Sequence, residues 1–198
     1  MAYRRNRRPA IKIVIYVEGI SDEKALHGLL RNERKEFQNK RHSFEIHQLR
    51  GKPNLIKEIG RRTELTLKDK DARAVFAIVD SDDENPEQLI RRLNAAVPQK
   101  CRKRFRPHTA VKEIEAWLIA DKKVLLSVFK EGNFPKNLAG EPENLRHPKN
   151  LIKKIWGQYN PIIHGALAFK QADPDIVAEK CPHFRLFRND LRAILKNS

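Results

Sequence analysis

Cysteine is scarce in this sequence: Cys101 and Cys181 are the only two in 198 residues. They form no Cys-x-x-Cys pair and lack the spacing of a zinc ribbon, which sets aside a disulfide framework and a structural zinc site. Both are expected to be reduced thiols of a cytoplasmic protein. Long apolar runs are missing too. The Arg-rich start is followed only by a short apolar segment, Ile11 to Val17, closed by Glu18, far below the roughly 18 residues of a membrane span. Neither a membrane protein nor a secreted one is expected. Acid is in short supply, with 25 Asp plus Glu against 41 Lys plus Arg and a formal charge of +16. A hydrophobic content of 40% still supports a packed interior, so the charge describes a surface and not a disordered chain.

The positive charge is grouped. Arg4, Arg5, Arg7, Arg8 and Lys12 stand with no acid among them. A second cluster runs from Lys100 through Arg102, Lys103 and Arg104 to Arg106, and a looser one holds Arg146, Lys149, Lys153 and Lys154. Such groups attract a polyanion, and nucleic acid, DNA or RNA, is the expected partner. Charge names a class of partner and not a reaction.

Along the chain, β-branched runs alternate with helical stripes. Ile11 to Val17 and Arg73 to Val79 read as strands buried on both faces, Phe44, Ile46 and Leu49 mark another, and basic Arg104 to Val111 a fourth at the sheet edge. Ser21 is the expected cap of a helix that runs to about Asn39, Pro53 opens a second helix, and Asn85-Pro86 caps a third. A further helix should begin at or just after Lys112. The pattern predicts an α/β fold with a mainly parallel sheet of about four strands over residues 10–120 and helices on both faces. Residues 1–9 read as a basic arm. Residues 121–198 read as a helical extension packed on the same domain, with Asp173-Pro174 as a cap and a possible flap at 129–150.

The chemistry signal lies in where acids fall. Glu18 follows the first strand, Asp80 and Asp82 follow the third, and Glu113 and Glu115 follow the fourth. Carboxyl ends of parallel strands are where open α/β sheets form their ligand crevices. Gathered carboxylates repel one another unless a cation neutralises them, and oxygen-only donors favour Mg2+ or Mn2+. Taken singly, each group is ordinary turn or helix-start composition; together they make a candidate metal site. The seven histidines have no metal-ligand spacing, and His108 alone is placed to approach the site. Trp117 and Trp156 read as core anchors.

Ile15-Tyr-Val-Glu-Gly-Ile-Ser-Asp22 together with Ala77-Ile-Val-Asp-Ser-Asp82 resembles the TOPRIM domain, whose signature is Glu-Gly after the first strand and Asp-x-Asp after the third. Lys112-Glu-Ile-Glu-Ala-Trp-Leu-Ile-Ala-Asp121 and Ala178-Glu-Lys-Cys-Pro-His-Phe184 resemble, more narrowly, small stand-alone TOPRIM-like proteins related to the OLD nucleases. The resemblance implies a TOPRIM-like fold and magnesium-binding roles for Glu18, Asp80 and Asp82, with Glu113 or Glu115 as a further ligand or proton-transfer group and Asp22 as an additional ligand. It also implies a defence-associated nuclease, with an AAA- or ABC-type ATPase encoded nearby as a possible partner.

The expected function is metal-dependent phosphodiester hydrolysis, with Lys24 or Lys112 at the scissile phosphate and Arg4 to Arg8 and Arg102 to Arg104 on the flanking backbone. Two other readings stay open. One is a non-catalytic nucleic-acid-binding module. The other is a receiver-like signalling domain phosphorylated at Asp80, with Thr109 and Lys112 in supporting roles.

Overall fold

The computed structural model describes residues 10–129 and 141–196. The basic arm with Arg4, Arg5, Arg7 and Arg8, and residues 130–140 of the expected flap, lie outside the described residues. From the flap's remainder, Pro142–Asn144 forms a 3-10 turn and Pro148 already opens a helix.

Four strands, β1 (Lys12–Val17), β2 (Ser43–Gln48), β3 (Ala72–Asp80) and β4 (Phe105–Ala110), form one sheet in the order β2-β1-β3-β4. Every pairing is parallel. The buried run Ile13 to Val17 of β1 divides by alternation between two apolar layers. Val14 and Tyr16 face α3 (Lys52–Thr66) and α4 (Pro86–Ala96), where Leu55, Ile59, Leu89 and Leu93 complete the layer. Ile13, Ile15 and Val17 face α1 (Ile20–Leu29) and α2 (Arg31–Asn39). On that same side lie the later helices α5 (Glu115–Ile119), α6 (Lys122–Val128), α7 (Pro148–Ile155), α8 (Ala166–Gln171), α9 (Pro174–Lys180) and α10 (Pro182–Lys196). Trp117, Phe169, Phe184 and Phe187 from these helices share one core with β1 and α1.

Local chemistry accounts for the boundaries. Asn85 accepts from the backbone N–H groups of Glu87 and Gln88 and caps α4, and Asp173 accepts from Asp175 to cap α9. Pro107 sits inside β4, where a missing N–H is tolerated because β4 is an edge strand. Gly28 lets α1 and α8 touch: a Cβ there would lie 2.6 Å from the Phe169 carbonyl carbon. Between α2 and the last two helices, buried Glu33 accepts from Arg188 at 2.7 Å and Arg192 at 2.9 Å, and Arg188 also pairs with Asp175.

Three expectations need correction. The first helix is capped at Gly19 and not at Ser21, because the Asp22 carboxylate reaches back to the Gly19 N–H and draws the start of the helix forward. The single helix expected to run to Asn39 is two, broken at Leu30 (φ −96°, ψ 18°), which turns Phe37 onto the core beside Phe44. The helix expected at Lys112 begins at Glu115, because Lys112 stands at φ 61°, outside helical geometry.

Candidate active site

Glu18 leaves the carboxyl end of β1, and Asp80 closes β3. Since β1 and β3 are adjacent and parallel, the two meet: Glu18 Oε1 accepts from the Asp80 backbone N–H at 2.9 Å. Burial, first of all, raises the Glu18 carboxyl to about 7, and the nearby Asp22 and Asp82 charges push the same way. Asp80 is raised well above the ordinary carboxylate range by desolvation first and then by Asp22, Glu18 and Glu115. Its Oδ1 accepts from the Ile114 N–H at 3.0 Å, tying the exit of β3 to the segment after β4.

Asp22 sits one turn into α1, its Oδ2 on the Gly19 N–H at 2.9 Å. Burial raises its proton affinity, opposed by the bonds from Gly19 and Ser21 and by the charge of Lys149. Glu115, 1% exposed, is raised to about 7 by burial and by Glu113 and Asp22 against the pull of Lys149. Its Oε1 accepts from the Tyr159 hydroxyl at 3.3 Å, and its Oε2 is buried without a hydrogen-bond partner. Glu113 accepts from the Lys149 backbone N–H at 2.8 Å, at the first turn of α7, and its Oε1 lies 4.0 Å from the Lys149 ammonium.

Two lysines complete the arrangement. Burial works against the charge of Lys149, but Glu115, Asp80, Glu113 and Asp22 together outweigh it and hold the ammonium protonated. Its Nζ lies 3.7 Å from Glu115 Oε2. Lys52, the first residue of α3, follows Gly51 at φ 104°, a conformation that glycine adopts readily. Its ammonium lies 2.5 Å from Asp82 Oδ2 and 3.3 Å from Glu84 Oε1. Asp82 and Lys112 stand at φ 50° and 61°, and Asp82 N–H donates to the Lys112 carbonyl at 2.8 Å. With Arg50 at φ 60° just past β2, three non-glycine residues at this sheet end occupy the left-handed region, strain of the kind that gathers at functional sites.

The structure thus brings together Glu18, Asp22, Asp80 and Glu115. Asp82 is at the rim, its side chain half exposed and held by Lys52. Lys112 is also at the rim, its Nζ 3.4 Å from Asp83 Oδ1. Lys24 is not brought in: it is exposed and directed at the Ile162 carbonyl 3.5 Å away. His108 packs between Phe76 and Phe187 with its Nε2 3.2 Å from Asp190, away from the acids. Trp117 is a core residue whose indole N–H donates to buried Glu143 at 3.1 Å. Arg102, Lys103 and Arg104 precede β4 and so stand at the amino ends of the strands. The eight residue steps from Ala72 to Asp80, at about 3.3 Å each, put some 26 Å between them and the acids. Two of the three are spent on the fold: Arg102 Nε donates to the Val97 carbonyl at 3.1 Å, and Arg104 to those of Ala72 and Leu67 at 3.1 and 3.3 Å.

Sequence reasoning missed Lys52, Lys149 and Tyr159. Lys149 had been grouped with surface charge, and Pro148 as the first residue of a helix was the one local signal that fixed its backbone. Among the described residues, no three His, Cys, Asp or Glu side chains already surround a common point as metal ligands. The donor chemistry nonetheless suits a hard cation: the donors are all carboxylate oxygen, the charges are mutually repelling, and the Glu115 Oε2 has no hydrogen-bond partner, only the Lys149 ammonium 3.7 Å away. No helix among the described residues is long and apolar enough to cross a membrane.

Residues 17–192 match the sequence model of a family described as "Domain of unknown function (DUF4276)". No curated protein matches the chain. Among solved structures, the C-terminal region of the Xanthomonas campestris pv. campestris OLD protein is similar at a TM-score of 0.54 and 8% identity, covering 93% of this chain and 96% of that one. At that identity the likeness speaks for the fold.

Proposed function

The chain belongs to the DUF4276 family, whose description assigns it no function, and from that premise we propose that it is a divalent-cation-dependent phosphodiesterase acting on nucleic acid. The observation that carries the reading is the convergence of Glu18, Asp22, Asp80 and Glu115 at the carboxyl end of a parallel sheet, where burial raises the proton affinity of each and repulsion from neighbouring acids adds to it at Glu18, Asp80 and Glu115. In a protein of charge +16, gathering buried Glu115 with half-buried Glu18, Asp22 and Asp80 costs stability unless a cation compensates them. The TOPRIM-like order of the acids and the fold shared with an OLD protein region support the same reading. An ATPase partner and a role in antiviral defence belong to it as well.

Glu18, Asp80 and Asp82 would hold Mg2+ or Mn2+, with Asp22 and Glu115 as further oxygen donors and Glu113 behind Lys149. A bound ion supplies neutralising charge for the phosphoryl oxygens and makes a water more acidic. The side chains contribute the rest. Lys149, kept charged by four carboxylates, binds a non-bridging phosphate oxygen. Glu115, with its carboxyl at about 7, accepts or returns a proton at Oε2, and the Tyr159 hydroxyl on Oε1 keeps it oriented. Lys52 and Lys112 line the rim on the approach side. Cleavage of labelled DNA and RNA with Mg2+ or Mn2+ tests the proposal: the intact protein should cut one of them, and a folded Asp80→Ala variant should not. Equal cutting by both would refute the assignment.

One observation favours the non-catalytic reading. Lys52 and Lys149 already lie against the acids, so the lysines could serve as permanent counterions in a binding module. That reading requires nucleic-acid binding that is indifferent to divalent cations and no cleavage under any condition.

A further inference from the structure

The second concentration of charge lies at the other end of the sheet. A cavity of about 430 Å³ opens there, lined by Arg73, Lys103, Arg104, Arg106, Asp190 and the α10 residues Ala193 and Ile194. Four cations face one acid, and that acid is engaged: Asp190 Oδ2 lies 3.2 Å from His108 Nε2. Several lysines elsewhere do rest on carboxylates, as Lys12 does on Glu45 at 2.9 Å and Lys100 on Glu64 at 2.6 Å. None of the four cavity cations has an ion-pair partner among the described residues.

Two of them are also fixed in place. Arg104 Nη1 and Nη2 donate to the carbonyls of Ala72 and Leu67, and Arg106 Nη1 donates to those of Lys103 and Phe105 at 2.8 and 3.0 Å. A guanidinium carries five N–H donors, so each arginine keeps three after these bonds. Anchored guanidinium groups lose little side-chain freedom on binding and suit the paired oxygens of a phosphate. The volume falls within the roughly 300–1,000 Å³ of small-ligand sites, enough for a phosphate with its sugar.

We propose that this cavity is a phosphate-binding site, separate from the acidic end, that grips the backbone phosphates of a nucleic-acid strand. It owes nothing to the cation chemistry at the acidic end and stands if that reading fails. A free nucleotide or inorganic phosphate offers the same oxyanion, so the test separates the sources.

Binding of a labelled single-stranded oligonucleotide to the whole protein is measured by anisotropy from about 50 to 200 mM salt. Arg73→Gln/Lys103→Gln removes two exposed cavity cations that hold no fold contact. Lys35→Gln/Lys57→Gln removes two exposed cations from other surfaces. The cavity pair should weaken binding about tenfold and flatten the log-affinity against log-salt slope by about 1.4, at roughly 0.7 per lost phosphate contact. The control pair should change affinity less than about twofold. Equal losses from both pairs would overturn the proposal, because binding would then follow net charge alone. Calorimetry with inorganic phosphate and with a nucleoside monophosphate forms the second arm. Binding by the intact protein and not by the cavity variant, with oligonucleotide affinity unchanged, would support the phosphate site and assign it to a small molecule. No phosphate-dependent difference in either arm would overturn it.

Discussion

Glu18 and Glu115 should make the cation-free protein lose stability as the solution becomes less acidic. Each is held at about 7 in the folded chain against an ordinary 4.5, so between those values the folded state carries more protons than the unfolded one. Stability therefore falls as pH rises through that window, the reverse of a salt-bridged carboxylate. A displacement of about 2.5 pH units at about 1.4 kcal/mol per unit gives a ceiling of about 3.5 kcal/mol for each group. The pair contributes less than twice that, because both share the Asp22 repulsion. Urea denaturation with a chelator present, at steps from about pH 5 to 7.5, reads the effect as a falling midpoint. Histidines titrate in the same range: burial lowers His27 and His42 in the folded chain, which adds stability as pH rises. The informative quantity is therefore the difference between the intact protein and Glu18→Gln or Glu115→Gln. Each variant should flatten the decline by about 2–3 kcal/mol across the window. Parallel curves for all three proteins would refute the claim that these carboxyls are held against their charge.

Other consequences follow from particular contacts. Gly60 on α3 faces α4 so closely that a Cβ would lie 2.1 Å from the Ala96 carbonyl oxygen, so Gly60→Ala should cost about 1–3 kcal/mol by overpacking. Gly157→Ala, with open space at the same position of its side chain, should stay within about 0.5 kcal/mol of the parent in the same denaturation assay. Glu33→Gln removes the charge that buried Arg188 and half-exposed Arg192 share. Its loss should cost about 3–5 kcal/mol by thermal or urea unfolding, and a smaller effect would mean that water already reaches Arg188. Lys52→Ala frees Asp82 from the lysine 2.5 Å away. If Lys52 competes with the cation, this variant should bind Mn2+ more tightly by calorimetry; weaker binding would make Lys52 a supporting residue instead.

Much of the fold was readable because its signals are local. The β-branched runs Ile13 to Val17 and Ala74 to Val79 can only be buried strands, and the Asn85-Pro86 and Asp173-Pro174 pairs fix helix starts through their own hydrogen bonds. Since strand ends follow from strands, Glu18, Asp80 and Glu115 could be placed at one edge before any coordinates. What failed was non-local. The break at Leu30 answers to packing of Phe37 against Phe44, which no helical stripe reports. Lys149 and Tyr159 reach the acids from α7 and the turn after it, across 34 and 44 residues from Glu115, and no sequence spacing encodes that return. The basic cluster before β4, expected on the backbone flanking the scissile phosphate, stands at the amino ends of the strands, opposite the acids. In a parallel sheet, residues that precede a strand lie opposite those that follow one, so its position was available from topology alone.

The central claim is that the acidic end binds a divalent cation. Calorimetric titration of Mn2+ into the intact protein and into a folded Asp80→Ala/Asp82→Ala variant, with and without an oligonucleotide, tests it most directly. Saturable binding by the intact protein and none by the variant is the predicted result. Binding by neither, with or without oligonucleotide, would contradict the account and leave Lys52 and Lys149 as the permanent counterions of a non-catalytic acidic cluster.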